Sequence, residues 1–153
     1  MFHLQISKIC RVMREYQEMN NIKEMCMTNT QTLYDIIKVS FPEVDVKAKA
    51  VICCNEMEDY VIRQTIHLMI IADGIYYEPS YELYAFKPMY FSSIKNLLDG
   101  FVPNDLIKDN LKNTLPTFLR FVEHEKNINN GDFLITDKEY YNNQLDYLQT
   151  KLN

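Results

Sequence analysis

The sequence predicts an α+β fold: N-terminal helices, one of them bearing a cysteine, packed on an antiparallel sheet of at least three strands, with further helices at the C-terminal end. Two observations predict it. Apolar residues recur at three- and four-residue intervals towards both ends of the chain, whereas between Val44 and Ser80 they alternate or run together. That middle stretch also holds Asp73-Gly74 between apolar runs, a dipeptide whose easy access to positive φ suits a two-residue hairpin. Helices and strands are therefore grouped, which excludes the alternating βαβ order of a parallel sheet.

In residues 4–19, Ile9, Val12, Met13 and Tyr16 recur at helical spacing while Lys8, Arg11 and Glu15 take other faces. Asn20-Asn21 ends this helix. A second runs from about Cys26 through Leu33, Ile36, Ile37 and Phe41 until Pro42 stops it. From Val44 the period becomes two, with Val44, Val46, Ala48, Ala50 and Ile52 on one face and Lys47, Lys49 and Val51 on the other, so residues 44–54 form a strand. The acidic segment 55–59 is a turn. Residues 60–72, long, β-branched and mostly apolar, predict a strand inside the sheet, with 75–80 as its hairpin partner. Phe86 to Phe91, broken by Pro88, reads as a connection, and Ser92 or Ser93 as the cap of a short helix through Leu98, ended by Gly100. Leu106, Ile107, Leu111, Leu115, Phe118 and Leu119 predict a helix over 105–120 that Pro116 kinks or splits. Residues 127–132 read as a loop. Thr136 and Glu139 have capping-box spacing ahead of a last helix carrying Tyr141, Leu145 and Leu148.

The 153 residues, 47% apolar and 24% charged, predict a single domain over 1–153. Folding at this length hides about 70% of the surface of the unfolded chain, so the core requires neither disulfide nor structural metal. The cysteines, Cys10, Cys26, Cys53 and Cys54, include no C-x-x-C pair with which a zinc site begins, and read as reduced thiols of a cytoplasmic protein. Three histidines argue against a multi-His metal site. The first sixteen residues carry charges throughout, unlike a secretory signal, and no apolar run approaches the ~20 residues a bilayer span needs. A net charge of −5, a pI near 5.2 and scattered basic residues argue against nonspecific nucleic-acid binding. The expected partners are therefore neither membrane nor nucleic acid, and the oligomeric state is open.

One group of residues points to chemistry. Cys26 opens a predicted helix, where orphan N–H groups and the positive end of the helix dipole favour a thiolate. His67 lies on the long strand, and an imidazolium beside the sulfur favours the thiolate further. Counting outward from the two-residue turn puts Met69 opposite Glu78, so Glu78 is a diagonal neighbour of His67 on one face, at a reach of ~7 Å that its side chain bridges. A carboxylate there orients the imidazole. Taken singly, each residue has a plainer reading: a cysteine as a small core hydrophobe, a histidine as a satisfied structural residue, a glutamate as an ordinary strand-end carboxylate. Their order and spacing together favour the chemical reading. Cys53 and Cys54 sit late in a strand where no helix dipole assists them, and His3 and His124 lie outside the pattern. The aromatics Tyr76, Tyr77, Tyr81, Tyr84, Phe86, Tyr90 and Phe91 read as core or as cleft lining.

The run His67-Leu-Met-Ile-Ile-Ala-Asp-Gly-Ile-Tyr-Tyr-Glu78-Pro79-Ser80, with Cys26 about forty residues before the histidine, resembles the transglutaminase-like branch of the papain-like cysteine enzymes. In that branch a His opens one strand, and an Asp followed by Pro-Thr or Pro-Ser closes the next. The likeness covers about residues 20–84. It departs from the family in Glu78 for the usual Asp, in Met25 where a small residue is frequent, and in Met69 where an aromatic is frequent. The resemblance implies a thiol-dependent hydrolase or acyltransferase acting on an amide or ester bond through a Cys26-His67-Glu78 triad and a thioester. It implies no cofactor, and a peptide, protein or small amide as substrate. A polar side chain upstream of the nucleophile completes the oxyanion site in such enzymes, and Asn20 has that spacing. The alternative it implies is an inactive transglutaminase-like domain that serves as a protein-interaction module. Glu24, close to Cys26, opposes a thiolate by like-charge repulsion.

Overall fold

The computed structural model describes residues 2–56, 62–92 and 111–152. Two helices come first, α1 (Phe2–Met19) and α2 (Cys26–Ser40), then strands β1 (Val46–Glu56), β2 (Ile62–Ala72) and β3 (Ile75–Tyr77). A short helix α3 (Tyr81–Phe86) and strand β4 (Met89–Phe91) follow, and helices α4 (Leu111–Asn130) and α5 (Lys138–Leu152) complete the α+β fold. The sheet is antiparallel throughout, in the order β3-β2-β1-β4. Its hairpin turns as the dipeptide predicts: Ala72 pairs with Ile75, and Asp73 and Gly74 both take positive φ, 47° and 82°.

The period-two face of β1, from Val46 to Cys54, joins Leu68, Ile70 and Ala72 of β2 in the main core. Ile6 and Met13 of α1, Leu33 and Ile37 of α2, Phe118 and Ile128 of α4 and Leu148 of α5 pack on that face. The opposite face is thinner: Val51, Cys53 and Met69 are buried under Leu83 of α3. Among the described residues no helix is long and apolar enough to cross a membrane.

Several elements differ from the sequence reading, each for a local reason. Residues 78–80 leave the ladder, because Pro79 has no N–H to donate and the carbonyls of Glu78 and Pro79 are taken by Arg14 Nη1 (2.7 Å) and Gln17 Nε2 (2.6 Å) of α1. The connection after Tyr84 contains β4, three residues that pair with Ile52–Cys54; Pro88 only precedes this edge strand, where proline is tolerated. Helix α4 runs through Pro116 without splitting and on through residues 127–130, the expected loop. Asn129 explains the extension. Its Oδ1 accepts the N–H of Ala48 (2.7 Å) and its Nδ2 donates to the Ala48 carbonyl (3.1 Å), on the edge of β1 that β4 leaves uncovered. Glu125 does likewise for the N–H of Ala50 (2.9 Å). Gly131, at φ 76°, then ends the helix, with Asp132 N–H bonded back to the Asn127 carbonyl (2.8 Å), the six-to-one bond of a glycine C-cap. At α5 the capping oxygen comes from Asp137, which accepts the Tyr140 N–H (3.0 Å), not from Thr136. Of the turn expected at 55–59, Asn55 and Glu56 instead continue β1, paired with Arg63 and Ile62, and 57–59 lie outside the described residues, as do the short helix expected at 93–98 and the start of the helix expected at 105.

Replacing Asn129 with Leu strands a backbone donor and a backbone acceptor of β1 while leaving α4 apolar enough to dock. The expected loss is about 1–3 kcal/mol in urea unfolding. Asn130→Leu, on the exposed neighbour, should change stability by less than about 0.5 kcal/mol.

Candidate active site

The chain reverses between α1 and α2 in six residues, with Asn21 and Glu24 in the left-handed region (φ 52° and 59°). Asparagine tolerates that conformation; glutamate does so at a cost of about 1 kcal/mol or more. Glu24 is held there by its own N–H, which donates to Glu82 Oε1 of α3 (2.7 Å). Met25 then leads into α2 without any side-chain cap, so the first-turn N–H groups around Cys26 keep their donors available. Since β3 pairs only with residues 70–72, the edge of β2 ahead of Ile70 is open to α2, and Thr30 Oγ1 donates to the Leu68 carbonyl across it (3.1 Å). That contact sets the first turn of α2 beside His67.

Glu78 follows the last rung of β3 and turns its side chain back along β2. Its Oε2 lies 2.7 Å from His67 Nε2 and also accepts the Ser80 N–H (3.2 Å), while Tyr90 Oη donates to Oε1 (3.4 Å). Glu78 takes Nε2, and Cys26, which lines the same cleft as His67, also acts on the ring. The two other acids near this hairpin are engaged elsewhere: Asp73 accepts the Asp45 N–H, and Glu82 the Glu24 N–H. His67 is only 1% exposed. Burial by itself pushes the imidazole pKa down; the Glu78 carboxylate, the hydrogen bonds to Cys26 and Glu78, and the Cys26 charge outweigh it and hold the pKa up at about 9. The ring is therefore an imidazolium at neutral pH.

Cys26 and His67 share a cleft of about 420 Å³ whose walls include Met25, Met27, Ile66, Leu83 and Phe121. Cys53 lines it too, but burial pushes the Cys53 thiol far up, as it does Cys10 (to about 12) and Cys54 (to about 11). Cys26 is the one half-buried cysteine; the other three are buried. Asn20 is not brought to this cleft. It is exposed at the end of α1, where its Nδ2 donates to the Tyr16 carbonyl (2.8 Å), which leaves the uncapped backbone N–H groups of the first turn of α2 as donors beside Cys26. Of the aromatics, Tyr76, Tyr77, Tyr84, Tyr90 and Phe91 line a second cleft of about 670 Å³, against which Glu78 also stands. Among the described residues no group of His, Cys, Asp and Glu is placed to hold a metal ion. The sequence reading missed Arg14 and Gln17, and it took Tyr90 as core or cleft lining without its hydrogen bond to Glu78. Only Gln17 left a signal, a polar residue one turn beyond Met13 on the apolar face of α1.

Comparison with protein-family models, with curated proteins and with solved structures gave no match.

Because the folded-state pKa of His67 is raised above its unfolded value of about 6.5, the stability it contributes is fully present below that pH and is lost as pH climbs through about 9. Urea midpoints should therefore fall between pH 6.5 and 9.5. In His67→Gln, which loses the charge, that fall should largely vanish.

Proposed function

We propose that this chain is a thiol-dependent hydrolase or acyltransferase of transglutaminase-like, papain-related type, acting on an amide or ester bond. The supporting observation is the grouping of Cys26, His67 and Glu78: a half-buried thiol at an uncapped helix start, sharing a cleft with an imidazole whose Nε2 lies 2.7 Å from a buried carboxylate.

In this reading Cys26 attacks as a thiolate paired with the His67 imidazolium, whose pKa is held up at about 9. The Cys26 thiolate attacks the carbonyl carbon, and the developing oxyanion is met by N–H groups of the first turn of α2. Collapse of the tetrahedral intermediate breaks the C–N or C–O bond. The imidazolium gives its proton to the leaving amine or alcohol, and a thioester remains on Cys26. Neutral His67 then takes a proton from water or an incoming amine as that nucleophile attacks the thioester, and the Cys26 thiolate leaves, restoring the ion pair. Glu78, 2.7 Å from Nε2, keeps the ring oriented. The substrate is a peptide, protein or small amide. Four unpaired cysteines fit a reducing, cytoplasmic setting.

A second reading, an inactive domain of the same architecture serving as an interaction module, draws on Glu24 and Glu82, whose charges at the cleft disfavour a thiolate. Alkylation by iodoacetamide near pH 7, followed residue by residue in a mass spectrometer, separates the two. The proposed enzyme should label Cys26 at least about tenfold faster than Cys10, Cys53 or Cys54, and His67→Ala should abolish that advantage. Equal rates at all four cysteines favour the interaction module.

A further inference from the structure

The cleft at Cys26 has a composition that the catalytic reading leaves unexplained. Two carboxylates, Glu24 and Glu82, line it together with the methionines Met25 and Met27, and among the described residues no Lys or Arg lines it. One oxygen of Glu82 accepts the Glu24 N–H, which fixes this acid at the cleft; among the described residues the Glu24 carboxylate has no hydrogen bond or ion pair. Two negative charges beside a nucleophilic thiolate raise the energy of the free enzyme. The His67 imidazolium already faces the sulfur; a cation brought by the substrate would pair with the two carboxylates themselves and offset the repulsion that remains. The other walls mix Thr28, Thr65 and Thr136 with apolar Ile66, Leu83 and Phe121, and the apolar part suits a long hydrocarbon stem.

We propose that the cleft selects a substrate carrying a Lys- or Arg-like side chain, a hydrocarbon stem ending in a cation, next to the carbonyl that Cys26 attacks, with Glu24 and Glu82 as the specificity-determining residues. This rests on Cys26 being the nucleophile. The stem lies along the methionines and the leucine, and the cation meets the two carboxylates. An acidic substrate is repelled at the same place.

The test uses two dipeptidyl fluoromethyl ketones that are identical except for arginine or citrulline at the residue bearing the ketone. Citrulline keeps the length and planarity of the side chain and removes its charge. In the reaction the Cys26 sulfur bonds to the methylene carbon and fluoride leaves, giving a thioether. The arginine reagent should modify Cys26 about fivefold faster than the citrulline reagent at low ionic strength, the range of a partly exposed charge pair. The ratio should shrink as salt is added. In the Glu24→Gln/Glu82→Gln double variant, where each amide oxygen still accepts a hydrogen bond, it should fall to about one, each rate being normalised to that variant's own iodoacetamide rate. Equal rates for the two ketones on the native chain, zero included, overturn the inference, as does a preference that survives both substitutions. The catalytic reading is judged separately by the effect of His67→Ala on the neutral iodoacetamide reaction, so the selectivity can fail while the nucleophile stands.

Discussion

The amide of Gln17 joins the elements that the candidate site requires. Buried on α1, it donates one hydrogen to the Pro79 carbonyl and the other to Gln144 Oε1 of α5 (3.0 Å), and its own oxygen accepts the Tyr81 N–H (2.8 Å). Every donor and acceptor of the group is used. Alongside it, Asn29 of α2 donates to Ser80 Oγ (3.1 Å) and accepts from Tyr140 Oη and Gln144 Nε2. The segment carrying Glu78 is thus bound on one side to α1 and on the other to the first turn of α2. Such a fully paired network, placed where an apolar core would tolerate sliding, admits one arrangement, because any shift strands buried polar groups at about 1–3 kcal/mol each.

The electrostatics of the site follow from that fixity. A histidine this deeply buried would ordinarily be neutral; the carboxylate 2.7 Å away reverses the outcome only because Glu78 cannot swing out. Arg14 on the Glu78 carbonyl (2.7 Å) and Tyr90 on its carboxylate confine it from the second cleft. The guanidinium is itself stacked on the Tyr84 ring, 3.8 Å from its centroid, so α1 and α3 close over the strand exit together.

What the sequence made legible is what parity and local chemistry govern. A two-residue turn and a period of two leave one register for β2 and β3, so the meeting of His67 with Glu78 can be counted from Asp73-Gly74 without knowledge of the rest of the chain. The start of α2 at Cys26 is likewise local. Gln17 and Asn129 are different, because each acts on a partner far along the chain, 62 and 81 residues away, and an isolated amide side chain carries no sign of where its partner lies. Strand β4 is too short to show a period, and its existence is fixed by the free edge of β1. Asn20 shows the opposite hazard. Spacing from a cysteine says nothing of direction, and at the end of a helix the carbonyl one turn back, that of Tyr16, accepts the Asn20 side chain as well as its backbone N–H.

The contacts of Asn129 and Glu125 with β1, and of Thr30 with β2, have a bearing on solubility. Exposed ladder groups are templates on which a second chain can add a strand, the first step of edge-to-edge aggregation. Here α4 supplies an amide that imitates one residue of a neighbouring strand, offering both donor and acceptor to Ala48, while α2 supplies a hydroxyl to Leu68. Side chains from helices thereby occupy ladder groups of the two central strands beyond the ends of β4 and β3. Along these stretches of β1 and β2, resistance to intermolecular β-pairing thus rests on three polar side chains, each removable by a single substitution that leaves the hydrophobic core intact.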